Sequence, residues 1–145
     1  MCAAIIRRFD YLTPSTPPQW GVMSSTQMLQ HLVLAFRMSI GEYPVAEAPS
    51  REHDSPLRRF LALTLPVQWP KGIVTIPETD VTVLQPPSTD FAHERADLIT
   101  LIHRFAEIPT ANLRPTHPLM GRLTRSQWMR WGFRHTDHHL RQFGC

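Results

Sequence analysis

Eight of the chain's 14 prolines, Pro44, Pro49, Pro56, Pro66, Pro70, Pro77, Pro86 and Pro87, fall between Gly41 and Asp90. Each removes an amide donor and disfavours helix at the residue before it. The sequence therefore splits into two helix-competent flanks and a mostly irregular connector at about residues 42–90. So long a connector in a small domain packs along the surface or over a site rather than hanging free. One short helix is expected inside it, Pro56 to Leu65. "PLRRFLALTL" opens with a proline in its first turn and repeats apolar residues at Leu57, Phe60, Leu61 and Leu65. "GIVTIP" and "VTVL" read as short strands without a clear partner.

The flanks carry four helical segments. The first covers about Ala3 to Tyr11 and stops before Pro14. The second starts at Ser24, where "SSTQ" sets Gln27 three residues after a serine cap, and runs to Gly41, a suitable C-terminal glycine. The third spans about Phe91 to Glu107, before Pro109. The fourth starts at Thr124, where "TRSQ" repeats the capping box with Gln127, and runs to about Phe143. The lead-ins "GVMSSTQM" and "GRLTRSQW" match in pattern, which local capping physics explains better than duplication. Four helices imply a bundle. With 145 residues and 42% hydrophobic content, one domain over residues 1–145 buries roughly two-thirds of its unfolded surface.

Composition narrows the function classes. The formal charge of +3 is dispersed, with no basic cluster larger than Arg7-Arg8 or Arg58-Arg59, so a solvated surface is favoured over a nucleic-acid face. All but one of the 15 basic residues are arginine, the exception being Lys71. No apolar run approaches the roughly 18 residues of a membrane span. The N-terminus lacks a secretion pattern, so a cytoplasmic location is expected. Cys2 and Cys145, at opposite termini, are expected as free thiols in a reducing compartment.

The histidines carry the chemistry. On the second helix, Met28, His31, Leu32, Ala35, Met38 and Ser39 form the inward stripe, which puts His31 in an apolar row. On the fourth, the stripe is Trp128, Trp131, Gly132, His135, His139 and Gln142, with His138 to one side. His135 and His139 lie one turn apart on one face, the spacing at which two imidazoles grip one ion. His138 and His139 diverge too far for both to join His135, so one of them does something else. An inward pair and an inward single histidine on two helices can complete a three-nitrogen site with an open position, the arrangement of catalytic zinc. His117, in the loop before the fourth helix, reads first as a turn histidine bonding the helix-entry backbone and second as a candidate proton carrier at the pocket mouth. His53, His93 and His103 read as surface or core residues.

Four blocks resemble a domain-of-unknown-function branch of the DinB-like (YfiT-like) metalloenzyme superfamily: Trp20 to Ser24, Pro66 to Gly72, His117 to Thr124, and "HTDHHLRQFG" from His135 to Gly144. The resemblance covers nearly the whole chain, departing at Met120, where an aromatic residue is common, and in stopping at Cys145. It implies an all-α, up-down-down-up four-helix bundle, with the proline-rich connector and its short helix as an addition. It implies a divalent metal, zinc or nickel ahead of iron, held by His31, His135 and His139. His138 is then placed behind the ligands or in packing, and Asp137 as a surface or orienting carboxylate. The superfamily's activities imply a thiol-dependent S-transferase or isomerase acting on a small molecule with a low-molecular-weight thiol such as bacillithiol, mycothiol or glutathione. A metal-bound thiol is deprotonated outright, which makes it a nucleophile at neutral pH. Hydrolysis is the weaker variant, since no carboxylate base is evident. The rival reading is a non-catalytic metal-binding or stress-response bundle. A homodimer is expected, and neither nucleic acid nor membrane.

Overall fold

The computed structural model describes residues 2–46, 55–73, 75–83 and 88–145. Among them lie five helices, α1 (Cys2–Arg8), α2 (Ser25–Ser39), α3 (Pro56–Leu63), α4 (Phe91–Glu107) and α5 (Arg125–Gln142), and two short strands, β1 (Thr116–His117) and β2 (Gly121–Arg122). The chain is thus mostly helical but not all-α.

The ends of α2 and α5 follow from local chemistry. Ser24 and Thr124 accept from the Gln27 and Gln127 amides, while each glutamine side chain returns a bond to the cap amide. Both helices also end alike. Gly41 and Gly144 adopt φ of 76° and 75°. Glu42 and Cys145 then donate back to the Arg37 and Leu140 carbonyls, closing a Schellman turn on each. The matched lead-ins therefore reflect two helices with the same boundary physics. α1 runs into a 3-10 turn at Phe9–Tyr11, which together fill the expected first segment.

α2 packs against α4 and α5, and α1 touches both α4 and α5. The core centres on Phe9, Met28, Leu29, Leu32, Leu98 and Leu140, all fully buried. α5 comes close to its neighbours at Gly132, where a Cβ would meet Phe105 Cε1 at 2.8 Å and Phe36 Cε1 at 3.2 Å. Phe36, Phe105 and Trp131 stack edge to face around that point.

The two-stranded sheet was not anticipated by periodicity, because a pair of two-residue strands leaves no period to read. Thr116 pairs with Arg122 and His117 with Gly121, antiparallel. This small hairpin leads straight into the Thr124 cap. The strands expected at "GIVTIP" and "VTVL" are absent: their described residues, Ile73, Thr75, Ile76 and Val81 to Val83, form turns and irregular backbone. Val74 and Leu84 lie outside the description.

The described part of the connector after residue 55 packs against α5 and the hairpin. Arg134 donates to the Leu65 and Val67 carbonyls, Trp69 Nε1 donates to the Ala62 carbonyl at 2.7 Å, and Arg59 donates to the Met120 carbonyl at 3.2 Å. Tyr43 Oη donates to the Glu78 carbonyl at 2.9 Å, seating a 3-10 turn at Pro77–Thr79 beside α2. On α3 the apolar stripe does not face the core. Leu57, Phe60 and Leu61 are 67%, 50% and 45% exposed, while Leu63, off the stripe, is buried. No helix among the described residues is long and apolar enough to cross a membrane.

Candidate metal centre

His31 projects from the middle of α2 and His135 and His139 from successive turns of α5. Their ligand atoms all lie within 4.8 Å of one another, close enough to hold one metal ion. His135 Nε2 sits in the middle, 3.1 Å from His31 Nε2 and 3.2 Å from His139 Nε2. Those separations approach the roughly 3.3 Å edge of a tetrahedron with metal–nitrogen bonds of about 2.0–2.1 Å.

The opposite ring nitrogens are already committed. His31 Nδ1–H donates to the Thr79 carbonyl at 2.8 Å, and His139 Nδ1–H donates to Gln142 Oε1 at 2.8 Å. Since both partners are acceptors, each neutral ring carries its single proton on Nδ1 and a bare lone pair on Nε2. Gln142 is itself oriented by donating from Nε2 to the Trp20 carbonyl at 2.8 Å. Gly21, at φ 79°, makes room for it, because a Cβ there would lie 2.7 Å from Gln142 Nε2. Such outer contacts fix ring orientation and raise ligand basicity.

His135 exposes the mismatch left without a cation. Its buried Nδ1 has no hydrogen-bond partner among the described residues, which an ion on Nε2 would not change; the mismatch lies at Nε2. One proton on its Nε2 satisfies one of the two lone pairs facing it and leaves the other opposed. Further protonation does not resolve the conflict. Burial lowers the pKa of all three rings, those of His135 and His139 well below the usual value; at His31 the Thr79 carbonyl and the Asp80 charge only partly oppose the shift. The rings are therefore neutral at pH 7, the form that ligates metal. The donor set fits a divalent cation.

The triad borders a cavity of about 800 Å³ lined mostly by apolar side chains of α2, α5 and the connector. His117 lines it too. Its Nδ1 accepts from the Leu119 amide at 3.0 Å, and burial, aided by Arg114, lowers its pKa to about 3. His117 thus stays neutral at pH 7 with its proton on Nε2 and its ring tied to the turn backbone.

The remaining candidates lie outside the triad, although His138 lines the same cavity and packs on the His139 ring. His138 packs edge to face against Trp20 and tilts over Trp69, with ring centroids 5.8 and 6.0 Å away, and joins no ligand cluster. Asp137 pairs with Arg8 at 2.6 Å and Arg141 at 3.0 Å; it ties α1 to α5 and orients no histidine. His93 and His103 are exposed. Cys145 is a partly buried free thiol whose pKa burial raises against the pull of Arg8. His53 and the Cys2 side chain lie outside the described residues. Sequence reasoning missed Thr79 and the outer role of Gln142. Only the position of Gln142, one turn after His139 on the same stripe, hinted at it.

A family model described as "Protein of unknown function (DUF1569)" matches residues 2–144. No curated protein and no solved structure matches the chain.

Proposed function

The chain belongs to the DUF1569 family of proteins of unknown function, and from the geometry of its histidines we propose that it is a divalent-metal-dependent enzyme with His31, His135 and His139 as ligands. The observation that carries the reading is the convergence of three Nε2 atoms in which the flanking rings have already committed their protons elsewhere. Three nitrogen ligands suit zinc or nickel, and also iron. In this reading α1, α2, α4 and α5 form a DinB-like up-down-down-up bundle with the connector as its long crossover.

When bound, the ion would act as a Lewis acid and lower the pKa of a coordinated thiol or water to near neutrality. The protein's own residues do the rest. Thr79 and Gln142 hold two ligands in the productive tautomer. Trp69, Trp131 and the connector keep bulk water from the reacting atoms. His117 Nε2–H is available to donate to a substrate oxygen without itself ionising. A low-molecular-weight thiol as nucleophile, in an S-transferase or isomerase, is the activity best suited to a site whose described lining has no carboxylate base. The bordering cavity favours this over a closed structural staple, because catalytic sites keep one position reachable.

The test is elemental analysis of untagged protein purified without chelator, beside His139→Ala. About one divalent ion per wild-type chain and none in the variant is expected. Equal metal content in the two proteins, or none in wild type after supplementation, would overturn the assignment.

A further inference from the structure

The wall of the cavity narrows what the site accepts. Its base is three imidazoles, no aspartate or glutamate is among its described lining residues, and the one charged side chain on the described wall, Arg58, is a cation. Asp80, the carboxylate felt at His31, is not on the wall and accepts from the Thr82 amide and hydroxyl. A divalent ion on this triad therefore brings two positive charges into an apolar space with no fixed anion to balance them. Charge in such a setting is costly unless paired. The ligand must supply the pairing.

Above the base the surroundings change character. Leu61, Val67 and Ile73 of the connector line the cavity while 45%, 57% and 44% exposed, and Leu119, Met120 and Trp131 face them from the hairpin and α5. A volume of about 800 Å³ lies within the ~300–1,000 Å³ of small-molecule sites. It is far larger than a coordinating group alone requires. The connector side chains that fill no core position are those that an apolar ligand body would cover.

We infer that the cavity takes an apolar organic monoanion, with a carboxylate or thiolate head at the triad and a hydrocarbon or aromatic body against the connector wall. The inference rests on the metal reading for the head and not for the body. α3 and the segment after it then serve as the specificity element.

The experiment is calorimetric titration of metal-loaded protein with butyrate, hexanoate, octanoate and octan-1-ol, repeated after metal removal. Affinity should rise about threefold to fourfold per methylene, and octanoate should bind at least tenfold more tightly than octanol. Removing the metal should abolish the octanoate advantage and leave the chain-length slope. Leu61→Asp and Ile73→Asp, both at half-exposed positions that tolerate the change, should each weaken octanoate binding at least tenfold with metal content unaltered. A flat chain-length series, or octanol binding as tightly as octanoate to loaded protein, would overturn the inference while the metal site stands. If the metal reading itself fails, added metal changes neither ligand's affinity.

Discussion

The residue that best separates burial from ionisation is His117. Its unfolded-state pKa is near 6.5 and its folded value about 3. Above pH 6.5 both states are neutral and the residue contributes no pH dependence. As pH falls from 6.5 toward 3, the unfolded chain takes up a proton that the folded one refuses, so stability drops by up to roughly 1.4 kcal/mol per pH unit. His117→Gln keeps an acceptor for the Leu119 amide and cannot titrate. Between pH 7 and pH 5 the variant should lose about 2 kcal/mol less stability than wild type in urea unfolding; identical losses would mean that His117 is not held neutral. The sequence placed His117 in the loop before the fourth helix without showing its burial, because the rings that cover it, Trp128 and Trp131, meet it only in the fold and the two-residue strand that carries it has no period to read. His31, His135 and His139 were legible because helical spacing alone puts them on inward stripes. Thr79 was not, since its part is played by a backbone carbonyl, which any residue type provides.

At the scale of the element, α5 is the most constrained. It carries two of the three histidines, the arginine that holds the connector, and the closest helix contact at Gly132. Alanine is the better helix former by about 1 kcal/mol, so an exposed glycine of this kind would be improved by replacement. Here the added methyl meets Phe105 at 2.8 Å, and that ring is wedged against Phe36 and Trp131 and cannot swing aside. Overpacking of this sort costs about 1–3 kcal/mol. Gly132→Ala should therefore destabilise the protein by about 1 kcal/mol net in thermal or denaturant unfolding; a gain in stability would show that the aromatic cluster yields. Helix boundaries were readable to within a residue or two, because Ser24, Thr124, Gly41 and Gly144 act through local bonds that the sequence spells out. The orientation of α3 was not readable. Its stripe at Leu57, Phe60 and Leu61 has the spacing of a core-facing helix, yet only the tertiary arrangement decides whether such a stripe meets a core or a cavity wall.

Across the whole molecule, the candidate site joins parts that are remote in sequence. His31 and His135 are 104 residues apart and Thr79 lies between them, 48 residues from His31. In an unfolded chain these groups are scattered, so an ion bound by all three histidines binds the folded state almost alone. Linkage then stabilises that state by RT ln(1 + [L]/Kd), about 2.7 kcal/mol at a hundredfold excess over Kd. For a chain near this length each kcal/mol moves the melting temperature by roughly 2–4 °C. Zinc at that excess should raise the transition by about 5–10 °C, and a chelator should return it. Because the ligands sit on α2 and α5 and the connector is pinned to both the hairpin and α5, the transition should move as one cooperative step. His139→Ala should melt at the same temperature with and without zinc. A zinc-dependent shift that persists in the variant would place the ion on some other group, and a second, metal-insensitive transition would mean that the connector unfolds apart from the helices it covers.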